Sequence, residues 1–90
     1  MNRLAIYRIT EGVRVRDESF GLLVVSKLAP ALALNPDMKN VWYMIDGKSS
    51  YGDILSAVEN LYPGVSVEPK VSEIFEKLLQ LGLINRVNEV

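Results

Sequence analysis

Apolar residues come in short, alternating bursts up to about residue 35 and then recur every three to four positions, so strands are predicted first and helices after them. Residues 2–9, NRLAIYRI, alternate loosely and predict a strand or a packed arm; Glu11-Gly12 breaks the pattern. Residues 13–16, VRVR, alternate apolar and basic, which predicts a half-exposed strand with Arg14 and Arg16 on one side. Asp17-Glu18-Ser19 reads as a turn. Residues 20–26, FGLLVVS, are apolar on both faces of the strand they predict, and the arm around Leu4, Ile6 and Tyr7 is expected to cover its back. Pro30 has no N–H to give to a ladder and is expected at a turn or strand entry, ahead of a short strand over 31–35. Three strands joined by short loops form a meander.

Asn35 is a good helix N-cap, and Pro36 suits the first helical position. Met38, Val41, Trp42 and Ile45 then make one apolar stripe, and Gly47 stops the helix. Ser49 or Ser50 caps a second helix; with Ser50 as the cap, Asp53 stands where a capping box places its acid. Its stripe is Tyr51, Ile54, Leu55, Val58 and Leu61, and Tyr62-Pro63-Gly64 ends it. A third helix is predicted from about Pro69 to Leu81, with Val71, Ile74, Phe75, Leu78 and Leu79 on one face and Gly82 as its stop. Leu83-Ile84 return to the core, and the tail NRVNEV adds a few extended residues. Strands followed by helices predict an α+β fold, a three-stranded antiparallel sheet and then three helices, in a winged helix-turn-helix-like arrangement.

Composition narrows the chemistry. Ninety residues make one domain, and 49% of them are hydrophobic, enough for a small core. With no cysteine there is no disulfide and no thiolate metal site; with no histidine there is no Ser-His-Asp triad. Neither Asp17-Glu18 nor Glu73/Glu76 reads as a catalytic pair, the first lying in a turn and the second on a helix surface. No glycine-rich phosphate loop occurs. The sequence thus predicts no enzyme, no metal and no cofactor. No apolar run approaches the roughly 18 residues of a membrane span, and MNRLAIYRIT is too polar for a signal peptide, so a cytoplasmic protein is expected. The net charge is −1; residues 1–45 carry six Lys/Arg and four Asp/Glu, and the rest four and seven. Neither half has the basic face that duplex nucleic acid needs.

In this setting the residues Leu34, Asn35, Pro36, Trp42, Ile45, Asp46, Gly47, Ser49, Asp53 and Ile54, with the spacing L-N-P-x5-W-x2-I-D-G-x-S-x3-D-I, resemble the PqqD-like domains. Upstream, GVRVRDESFGLLVVS at 12–26 resembles their first two strands. Downstream, residues 71–84 resemble their last helix and its Gly-Leu-Ile ending. The run 35–47 is closest in pattern to the lasso-peptide type, with Met38-Lys39 as a departure, and residues 1–11 lie outside the resemblance. It implies three segments: an N-terminal arm or extra strand over 1–11, a PqqD-like peptide-recognition domain over 12–84, and a C-terminal tail over 85–90.

The resemblance also implies a function. Such domains bind the leader segment of a ribosomally synthesised precursor peptide and deliver it to a modifying enzyme or leader peptidase. The implied cleft lies between the third strand, at Ala31, Leu32, Ala33 and Leu34, and the third helix, at Val71, Glu73, Ile74, Phe75, Lys77 and Leu78. Implied partners are the leader peptide and the enzyme, with no nucleic acid and no membrane, and the protein a monomer or weak homodimer. The main alternative is a winged-helix DNA-binding protein, whose last helix would enter the major groove. Residues 68–81 carry Glu68, Glu73 and Glu76 against Lys70 and Lys77, which opposes that reading.

Overall fold

A computed structural model describes residues 1–88 of the chain; the last two residues of the expected tail lie outside the described residues. In chain order the elements are β1 (Tyr7–Ile9), β2 (Arg14–Glu18), β3 (Gly21–Ser26), β4 (Ala29–Leu34), α1 (Pro36–Met44), α2 (Tyr51–Leu61), α3 (Glu68–Gln80) and β5 (Ile84–Arg86). β2, β3 and β4 form an antiparallel meander in that spatial order, and β1 pairs with β5 in a second, two-stranded sheet. The fold is α+β, as the change of hydrophobic period predicts.

Register in the meander follows from which residues must be buried. Leu22 stands opposite Leu34 and Val24 opposite Leu32, so the four share the inner face, where α1 packs. Arg14 pairs with Val25, Arg16 with Leu23, and Leu23 with Ala33, which puts these residues on the outer face. Gly21 starts β3 at φ +142°, and a Cβ there would come 2.1 Å from the Leu34 carbonyl oxygen, so no larger residue fits. The third strand of the meander begins earlier than the sequence predicts, and Pro30 lies inside it. Its partner strand explains this. Val24 faces Leu32 while Ser26 faces Ala29, so β4 carries one extra residue at Pro30-Ala31. A bulge leaves backbone unpaired, which is where a residue without an N–H is tolerated.

Side chains that cap the helices do so as their residue types predict. Asn35 Oδ1 accepts from the Met38 N–H at 2.9 Å, and Ser50 and Asp53 form a reciprocal capping box at 3.1 Å in each direction. α3 has no side-chain cap, because its N-cap position is Val67. Between α1 and α2, Asp46 Oδ1 accepts from the N–H groups of Lys48, at 2.9 Å, and Ser49, at 2.7 Å. Those bonds, Ser49's first, hold the Asp46 carboxyl below the usual carboxylate range.

The N-terminal segment does not cover the back of β3, where Val25 remains exposed. It crosses the α1–α2 junction instead. The Gly47, Tyr51 and Gly52 N–H groups donate to the carbonyls of Tyr7, Ala5 and Arg3 at 3.0, 2.7 and 2.9 Å. Asn88 fixes the other side, accepting from the Ile6 N–H and donating to the Leu4 carbonyl. This placement brings Tyr7 to Phe75, ring centroids 5.4 Å apart, and Tyr51 meets Phe75 edge-on at 5.1 Å. Every buried side chain among the described residues belongs to an apolar or aromatic residue.

Candidate functional site

β4 is an edge of its sheet: β3 pairs with one side of it, and no described strand pairs with the other. The Leu34 carbonyl oxygen lies against Gly21 on β3. Backbone groups alternate sides along an antiparallel strand, so the N–H and C=O of Ala33 point away from β3, to the open edge. That edge opens on a cleft of about 420 Å³. Leu32 from β4, Met38 from α1 and Ile74 from α3 supply its apolar surface, and Glu73, Glu76, Lys77 and Gln80 of α3 form the far wall. The wall residues are exposed and spaced i, i+3, i+4, i+7, one face of a helix.

The residues expected at the site divide into three groups. Leu32, Glu73, Ile74 and Lys77 line the cleft. Ala31 and Ala33 are exposed on the strand that bounds it, with Ala33 on the outer face of the sheet. Leu34, Val71, Phe75 and Leu78 are 0–2% exposed and belong to the core. Phe75 and Leu78 sit on the same helix as the wall but face inward, Phe75 into the pair of tyrosines. One side of α3 must pack on the domain, and the apolar stripe is that side. The sequence reading therefore placed too much of the stripe in the cleft, and it missed Met38, Glu76 and Gln80. Their signal was present: Glu76 and Gln80 share the helix face of Glu73, and Met38 opens the α1 stripe beside the strand.

A second pocket of about 370 Å³ adjoins the cleft. It lies between α1, the α2–α3 loop and the first turns of α3, and Met38, Glu73 and Ile74 line both cavities. At its edge the Tyr62 hydroxyl donates to Asp37, tying the end of α2 to the start of α1. That bond raises the Tyr62 hydroxyl above its ordinary value. On the opposite side of α1, the Lys39 Nζ meets Asp17 at 2.5 Å, and this contact raises the lysine in turn. Both pairs fix α1, whose Met38 forms part of the cleft.

Among the described residues, no group of three or more carboxylates is placed to hold a metal ion, and no helix is long and apolar enough to cross a membrane. No family model, curated protein or solved structure matches the chain.

Proposed function

We propose that this protein is a PqqD-like recognition element. In this reading it binds the leader segment of a precursor peptide as an added antiparallel strand along β4, beside α3, and a separate modifying enzyme or leader peptidase acts on the peptide it presents. The observation that carries the reading is the open edge of β4 beside a cleft with an apolar floor. Main-chain bonds to an edge supply affinity whatever the peptide's sequence, and alternate side chains entering the cleft supply selection. The peptide's inward residues meet Leu32, Met38 and Ile74; its outward residues lie next to the small side chains of Ala31 and Ala33. The order of motifs from Gly12 to Ile84 supports the same reading.

The exposed residues of α3 give no support to groove reading in DNA, since Glu73 and Glu76 offset Lys70 and Lys77. Titration of ¹⁵N-labelled protein with synthetic leader segments of candidate precursor peptides tests the proposal. Amide shifts are expected at residues 29–35 and 70–80, with a Kd of about 1 μM or tighter, roughly −8 kcal/mol. Shifts confined to Val13–Arg16 or to α2 would place the peptide elsewhere, and no binding at all would end the reading.

A further inference from the structure

The cleft lies toward the C-terminal end of β4; the other end of the strand is the turn that joins it to β3. Ser26 stands opposite Ala29, so Lys27 and Leu28 alone make that turn. Leu28 is 90% exposed, more than any other large apolar residue described. We infer that the turn is a docking tip for an anionic lipid surface, with Leu28 entering the interface and Arg14 and Lys27 meeting the headgroups. The inference stands apart from the peptide reading, and it departs from the absence of a membrane partner that the resemblance implies.

Register gathers the residues. Arg14 stands opposite Val25, which precedes the turn on β3, so Arg14, Val25, Lys27 and Leu28 share one end of the meander. Val25 is exposed on the outer face and extends the apolar surface of Leu28. The Leu28 N–H donates to the Ser26 Oγ at 3.2 Å, which closes the turn and leaves the leucine side chain in solvent. Charge divides along the same sheet. At the far end, Asp17 pairs with Lys39 and Glu18 with Arg16. Arg14 and Lys27 make no ion pair among the described residues. In residues 10–14 and 25–29, the two segments at this end, Glu11 alone is acidic.

Charge selects an acidic occupant; shape and size select lipid over protein. Neither cavity described above is lined by these residues, and the leucine stands on a two-residue turn, so the tip projects into its partner. A stable protein interface takes about 800 Å² from each side, far more than one such turn offers. A bilayer interface needs no shaped hole: it receives an apolar side chain and adds the attraction of each flanking cation. Peripheral docking also needs no spanning helix, and none is present among the described residues. The cleft beside Leu32 stays free in this pose, because it opens farther along β4.

Sedimentation with sucrose-loaded vesicles tests the inference, using phosphatidylcholine alone and phosphatidylcholine with about one-third phosphatidylglycerol. The protein is expected to pellet with the anionic vesicles at low salt, and to be released from them in about 0.5 M salt. Lys27→Gln and Arg14→Gln should each weaken the partition about fivefold, the worth of one cation at an anionic surface. Leu28→Ser should weaken it about tenfold or more, since a leucine side chain no longer leaves water. Leu28→Trp should keep binding and shift its emission to the blue on anionic vesicles, against the constant background of buried Trp42. All four changes are at exposed positions, so circular dichroism should match the parent. The inference is overturned if nothing pellets, if neutral vesicles bind as well as anionic ones, or if the Leu28→Trp emission stays unmoved. Binding that needs both cations but survives Leu28→Ser would also overturn it, and would point to an acidic protein surface. None of these outcomes bears on leader binding at β4, which the titration above decides by itself.

Discussion

Phe75 packs between Tyr7 and Tyr51, aromatics from the N-terminal strand and from the first position of α2, so one side chain joins three distant parts of the chain. Phe75→Ala should lower unfolding free energy by about 3–5 kcal/mol, as truncation of a buried ring does. Urea denaturation measures that loss, and because Phe75 is 0% exposed the variant's folded fraction should bind peptide like the parent. Trp42, 4% exposed on the buried face of α1, should show a loss of the same order when changed to alanine. Both are large fractions of the roughly 5–15 kcal/mol that holds a domain together. Asp46 acts by charge and hydrogen bonding. Its carboxyl is held below the usual range, so its contribution is present above the unfolded value near pH 4 and disappears as pH falls through the lower folded value. Asp46→Ala should therefore melt at a lower temperature than the parent at pH 7, and the gap should narrow progressively below about pH 4. A gap that is unchanged at pH 2.5 would mean that the Lys48 and Ser49 N–H groups gain nothing from the ionised side chain.

The elements differ in how far the sequence discloses them. α1 and α2 are legible almost to the residue, because Asn35-Pro36 and Ser50-x2-Asp53 are capping signals and the stripes between them have the helical period. α3 is legible as an element, but its stripe shows only which residues are apolar, and packing decided that Phe75 and Leu78 face inward while Ile74 reaches the cleft. The pairing of β1 with β5 was not legible at all, since three-residue strands carry almost no periodic signal and their partners lie at opposite ends of the chain. The bulge in β4 was half legible: Pro30 marked an irregularity but not its position inside the strand. The orientation of Ala33 gives the strand site a direct test. Ala33→Pro removes an N–H that points to the open edge and leaves the ladder with β3 intact, so the variant should keep the parent's helical circular dichroism. Its affinity for the leader should fall at least tenfold in calorimetry. An unchanged affinity would mean that the peptide does not pair with β4.

On the scale of the whole molecule, two kinds of strand pairing coexist. The β2–β3–β4 meander joins neighbours in the chain, whereas Tyr7 meets Arg86 only after nearly the full described chain has been enclosed in a loop. Closing long loops is entropically costlier than closing hairpins, and such contacts slow folding. Local opening should follow the same division. In hydrogen exchange, the amides of Gly47, Tyr51 and Val87, whose acceptors lie in the N-terminal segment, should exchange faster than those of Leu22 and Val24. The pairing also sets an order in time for the chain as it is made. The meander can assemble while the helices are still inside the ribosome, but β1 has no strand partner until β5 emerges. Until then the N-terminal segment, with Tyr7, has the backbone bonds from Gly47, Tyr51 and Gly52 but not its strand partner. The open edge of β4 thus depends only on neighbours in the chain, whereas the β1–β5 pair waits for the last described strand.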